Sequence, residues 1–250
     1  MNIPPDRPVN GRRGGTVTAL PVEDAGVAPE TRGGATRQRI LDAAERLFSE
    51  HGINGVSLRT ITAEAGANSA AANYHFGTKK GLLDAVFERY ATGMAEERET
   101  LLADCHPAPG RPPLLEQIIS AFLEPGMRGR HGGATFARLR ARMLAESSAQ
   151  TRELYAIHFN DSSSRFLEAL GNALPDLPAH DLHWRFHMLL GAMVYTLANP
   201  GRIQILTEDA CDPSDPDQAL DYLVPMLAQM FCSPPIAHAT NPVEMLRTVN

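Results

Sequence analysis

Lysine is almost missing from this chain: two residues, adjacent at Lys79 and Lys80, stand among 23 basic side chains in 250 positions. Cysteine is sparse too. Cys105, Cys211 and Cys232 form no Cys-x-x-Cys pair, which excludes a disulfide scaffold and a thiolate metal site and fits a reduced compartment. No basic-then-apolar segment suggests secretion, and the longest apolar stretch, near residues 186–198, is shorter than the ~20 residues that span a bilayer. The expectation is a cytoplasmic protein with no membrane partner. Also missing are a nucleophile elbow, a phosphate loop, a dinucleotide fingerprint and a zinc-protease helix, so no catalytic residue and no cofactor is assigned. Strand-like alternation and internal repeats are absent as well, leaving an all-α fold.

What is present centres on residues 57–80, SLRTITAEAGANSAAANYHFGTKK. Ser57 is a natural N-cap, Ile61 and Ala65 form a small apolar stripe, and Gly66 can take the left-handed conformation that ends a helix. A second short helix follows over 69–76. Ala70, Ala71 and Ala72 let its backbone approach a partner closely, so the pair has helix-turn-helix spacing, with the second helix shaped for a DNA major groove. Thr78 caps the next helix and places Lys79 and Lys80 in its first turn. Two cations there oppose the macrodipole. With the free N–H groups they form a phosphate site if an anion is present, and otherwise a solvated charge pair.

Residues 36–94 resemble the DNA-binding domain of TetR-type transcriptional regulators. The resemblance rests on a first helix, a helix-turn-helix, the run Tyr74-His75-Phe76 and a Lys-bearing fourth helix, and it covers about a quarter of the chain. It implies that Arg59 reaches a base and that Tyr74, His75 and Lys79 hold the phosphate backbone. Asn68, Ser69 and Asn73 can read base edges or phosphates, and Ala71 and its neighbours can meet thymine methyls. Ser57, Thr60 and Lys80 complete the expected DNA-binding set. The sequence departs from the family at Asn73, where Tyr is usual, and at Ala67, where Val or Ile is usual; both alter the expected sequence preference. The NYHFGTK wording looks like a subgroup that includes regulators answering to fatty acids or acyl-CoA.

Charge is partitioned to match. Residues 36–80 hold six basic side chains against four acidic ones, a balance of +2, and residues 1–35 balance to zero. The chain total of −6 therefore leaves −8 for residues 81–250, an acidic body behind a basic head.

Residues 1–34, rich in Pro and Gly, have no sustained apolar period and are expected to be a disordered tail. Their Arg7, Arg12 and Arg13 either contact nearby DNA or lie idle. The DNA-binding unit spans 35–95, with Ile40, Leu41, Ala44, Leu47 and Phe48 at helical spacing in its first helix and Gly52 stopping it. An all-helical unit spans 96–235 and a tail 236–250. The break at 106–113, with four prolines and a glycine, precedes helical signals at 114–123, 134–145, 151–174, 181–197 and 216–231. Asp215, Pro216 and Gln218 read as a capping-box start for the last of these.

The segment 182–197 is apolar nearly all round and must be covered on both sides. It is either a core helix or, as the family resemblance implies, part of a homodimer interface, with Trp184, Met188, Tyr195, Leu223, Leu227 and Met230 as the facing residues. His180, His183 and His187 lie beside it, but no Cys or carboxylate completes a metal set, so no metal is expected. Along 136–144, Phe136, Leu139, Met143 and Leu144 share one arc and Arg138 and Arg142 the opposite one. Arg140 falls inside the apolar arc. Its charge needs an internal carboxylate, an escape to water, or the anionic head of a ligand. In the last case the ligand chain lies among Phe122, Phe136, Met143, Phe159 and Phe166.

The resulting reading is a homodimeric repressor that leaves a palindromic double-stranded operator when a small hydrophobic effector binds. A small all-α metal-dependent enzyme and a DNA binder without ligand sensing are the alternatives.

Overall fold

The computed structural model describes residues 32–111, 114–128, 131–146, 148–198 and 201–235. Of the expected tails, 1–34 and 236–250, residues 1–31, with Arg7, Arg12 and Arg13, and 236–250 lie outside the described residues. Ten helices follow in order: α1 (Arg32–His51), α2 (Leu58–Glu64), α3 (Ser69–Phe76), α4 (Lys79–Ala103), α5 (Leu114–Met127), α6 (Gly133–Glu146), α7 (Ala149–Ala173), α8 (Ala179–Ala198), α9 (Arg202–Leu206) and α10 (Pro216–Cys232). Among the described residues there is no strand.

Local chemistry sets most of these boundaries. Ser57, Asn68 and Thr78 each accept a hydrogen bond from a backbone N–H three residues on, capping α2, α3 and α4. Asp215 accepts from the N–H groups of both Asp217 and Gln218. The reciprocal half of the expected capping box is missing, because Gln218 Oε1 accepts from Asp212 N instead. Gly66, at φ +58°, makes the turn between α2 and α3 that a β-carbon would strain. Three expectations are corrected. α1 begins at Arg32, inside the predicted tail. α5 continues through Pro125 to Met127, since a proline in the last turn removes only one hydrogen bond. The five-residue α9 gives too short a pattern to be seen in sequence.

Two apolar cores form. One joins α1–α4 to α6 and α7 through Ile40, Phe48, Ile61, Phe87, Phe136 and Phe159; the other joins α5, α7, α8 and α10 through Phe122, Phe166, Phe186 and Phe231. α4 runs through both, contributing Leu82 to Met94 to the first and Leu101 and Leu102 to the edge of the second. Phe87 is fully buried and sets its ring 5.2 Å from Phe136, 6.0 Å from Tyr155 and 6.3 Å from Phe159. The first core is thus shared between the helix-turn-helix and the body rather than ending near residue 95.

A polar cluster fixes α1 against α4. Arg89 donates to Asp42 (2.6 Å) and Glu45 (3.3 Å), and the Tyr90 hydroxyl donates to Glu45 (2.7 Å). Burial pushes the Glu45 carboxyl up against the opposing pull of Tyr90 and Arg89. Burial and the bond to Glu45 push the Tyr90 phenol up to about 12. A raised folded pKa means that the unfolded chain loses this proton first, so Tyr90 stabilises the fold fully below pH ~10 and progressively less toward pH ~12. Tyr90→Phe is expected to cost about 1–2 kcal/mol at neutral pH. It should also flatten the alkaline limb of a urea-denaturation series; an unchanged limb would assign that titration to other groups.

Candidate DNA interface and effector cavity

α3 packs against α1, α2 and α4. Ser69, Ala70, Asn73 and Tyr74 are exposed, while Ala72 is buried on its inner side. Tyr74 is 85% exposed, an unusual place for a phenol that has nothing to recognise. Ala71 is half-buried against the first core, so only part of it is free for a base. Ser57 and Thr60 hydroxyls face each other at 2.7 Å beside the start of α2. Asn68 uses its carbonyl oxygen for the cap of α3, leaving its amide nitrogen outward.

The six cations of residues 36–80 fall into two groups. Arg39 donates to the Ala65 carbonyl (3.1 Å), Arg46 pairs with Glu50 and Glu64, and Arg37 lies over the Phe76 ring at 5.4 Å. Lys80, expected at a phosphate, is instead drawn to Glu153 of α7 at 2.9 Å, because it points along α4 toward the body. In the protomer alone Lys80 is thus engaged in an exposed ion pair with Glu153. Arg59, exposed, and Lys79, half-buried, have no ion-pair partner among the described residues. They stand on α2 and at the start of α4, the helices on either side of α3 in the chain, and His75 of α3 is half-buried beside Gly33 of α1.

Where the two cores fail to merge, a cavity of about 520 Å³ opens. Phe122, Arg140 and Phe159 line it, as the sequence suggests, together with Leu144, Tyr155, Leu167, Phe186, Leu190 and Val194. The other three expected lining residues do not. Phe136 packs on Phe87 and Tyr90, Met143 is 1% exposed in the first core, and Phe166 packs edge-on against Phe122 at 5.1 Å. Each is consumed by core packing before it can reach the cavity. Arg98 is the residue that sequence reading missed: 1% exposed, on α4 between the two cores, and facing the cavity. Burial, then the neighbouring charge of Arg140, lowers its guanidinium to about 9, so it stays charged at neutral pH.

α8 exposes Trp184 and Met188 one turn apart and Tyr195 two turns further along. The α10 expectation is corrected. Leu227 is buried in the second core, and Leu223 and Met230 are half-buried against it. The apolar residues that α10 presents outward are Tyr222 and Met226, 68% and 66% exposed.

This geometry has counterparts among known proteins. Residues 40–86 match the family "Bacterial regulatory proteins, tetR family", and residues 116–230 match "Tetracyclin repressor-like, C-terminal domain". The chain belongs to the TetR family. It is 39% identical over 61 residues to the HTH-type transcriptional repressor AcnR of Corynebacterium glutamicum, covering 24% of this chain and 32% of that one. The chain thus spans about a third of the length of the first curated relatives it matches. A longer match, 26% over 192 residues, is to the AcnR repressor of Corynebacterium diphtheriae, covering 72% of this chain and 93% of the relative. The fold is also that of the fatty acid degradation regulator FadR from Bacillus halodurans. That structure is 15% identical, has a TM-score of 0.54, and is matched over 78% of this chain and 94% of that one. TetR relatives are regulators, not enzymes. No described helix is long and apolar enough to cross a membrane.

Proposed function

We propose that this TetR-family chain is a cytoplasmic, homodimeric transcriptional repressor that α3 seats in the major groove of a palindromic operator, and that a small hydrophobic effector in the cavity releases it. The observation that carries the DNA reading is the α3 face, with exposed Ser69, Asn73 and Tyr74 between the two unpaired cations Arg59 and Lys79. The name of the full-length relative, a transcriptional repressor, supports it. An effector class of fatty acids or acyl-CoA follows from the resemblance of the NYHFGTK run.

The cavity is placed to act at a distance. α4 borders it at Arg98 and begins at Lys79 beside α3. α6 borders it at Arg140 and, two residues on, Arg142 donates to the Glu50 carbonyl at the end of α1 (2.8 Å). A ligand that fits better when α4 and α6 shift therefore favours an arrangement in which the two α3 helices of a dimer no longer match the groove spacing.

Substitution of the two unpaired cations separates their roles. Arg59→Ala should cost about 1–3 kcal/mol of operator affinity and relax preference at one base pair per half-site. Lys79→Ala should weaken all sequences alike and reduce the salt slope by about one per site. Fluorescence anisotropy at several salt concentrations reads both. Equal losses for Arg59→Ala on every sequence would make it a backbone contact only.

A further inference from the structure

Arg98 and Arg140 are two buried cations without an anion. Arg98 extends an apolar stripe of α4 that runs through Phe87, Ala91 and Met94 and resumes at Leu101, so the helix turns it inward. Its acidic chain neighbours face elsewhere: Glu97 lies 2.7 Å from His131 and Glu99 3.2 Å from Arg165. Arg98 Nε donates to the Phe122 carbonyl (2.9 Å), Nη2 reaches the Met193 sulfur at 3.9 Å, and the guanidinium lies 4.0 Å from the Phe122 ring centre. Arg140 is 4% exposed; Nη1 reaches the Met94 sulfur at 3.5 Å, Nε has no partner, and the Phe159 ring centre lies 4.9 Å away. Neither has a carboxylate partner among the described residues.

Carbonyls, thioethers and ring faces are weak partners for a desolvated charge, and two such charges near one another also repel. A core that needed only to be filled would be more stable with apolar side chains at both positions. We infer that the cavity takes an apolar ligand bearing one carboxylate, its head held by Arg98 and Arg140 and its body lying along Leu167, Leu190 and Val194. The inference rests on reading the cavity as the effector site. A planar carboxylate matches the forked donors of a guanidinium, and both Arg98 and Arg140 border the same cavity. Its volume of about 520 Å³ is that of a site for one small molecule. A CoA thioester, whose acyl end is uncharged, offers nothing to the two cations.

The test uses the full-length protein with dodecanoate, 1-dodecanol, dodecylamine and dodecanoyl-CoA, measured by calorimetry and by release of selected operator DNA. Dodecanoate should bind about ten- to a hundredfold more tightly than the alcohol, and Arg98→Met and Arg140→Met should each remove most of that difference. Both variants should unfold at or above the wild-type temperature, because each loses an unpaired buried charge. Arg98→Lys and Arg140→Lys, which keep the charge without the fork, should retain part of the preference. Equal binding of acid and alcohol, tighter binding of the amine or the thioester, no binding of dodecanoate, or an acid preference that survives both Met substitutions would overturn the proposal. Arginine-dependent acid binding that leaves the operator bound would uphold the carboxylate site and reject its role as the effector site.

Discussion

Phe87→Ala is expected to lower unfolding free energy by about 3–5 kcal/mol, the cost of emptying a fully buried aromatic site that cannot collapse. The site is rigid because the rings of Phe136, Tyr155 and Phe159 come from two different helices of the body and meet Phe87 edge-on. The loss should therefore not be confined to the helix-turn-helix. α6 and α7 share this core with α1–α4, so one cooperative transition is expected, seen alike by circular dichroism and by the fluorescence of Trp184 in the body. Urea denaturation at fixed protein concentration measures it, since the stability of a dimer depends on concentration. A change below about 1 kcal/mol, or a DNA-binding unit that melts separately, would show that the two halves do not fold as one.

The second large effect concerns assembly. Met188→Glu together with Met226→Glu places charges in the exposed apolar surface of α8 and α10, where nothing within the protomer depends on them. Sedimentation should show monomers with unchanged helix content. Affinity for a two-half-site operator should fall by about 10²–10⁴-fold, because the second half-site is then no longer bound intramolecularly. Dimers that persist in the double variant would move the interface to another face.

The elements of this fold are written locally, which is why most were legible. Ser57, Asn68, Thr78 and Asp215 are all short polar side chains that cap the helix behind them, and the apolar period of α1 needs no tertiary information. What remained hidden was decided by neighbours. Arg98 sits in a charged stretch, Glu96 to Thr100, that looks like a solvated face; the inward stripe through Met94 and Leu101 was the signal that could have found it. α10 is apolar on more than one arc, and packing against α5 and α8 selected Leu227 for the core and left Tyr222 and Met226 outside. Phe136, Met143 and Phe166 were apolar residues at helical spacing, and nothing in one chain's periodicity separates a side chain that lines a cavity from one that fills a core. Lys80 was placed by its position at a helix start, while its reach toward Glu153, 73 residues away, depends on how α7 crosses α4. Arg140 was legible because a charge inside an apolar arc conflicts with its surroundings in the sequence itself.

The central claim is that a two-fold dimer reads DNA through α3, and selection of bound sequences from random double-stranded DNA tests it most directly. The account predicts enrichment of a palindrome whose half-sites lie about one helical turn apart or a little more, with Arg59→Ala relaxing the same position in both halves. A pool that fails to converge, or that converges on a single asymmetric site, would contradict it.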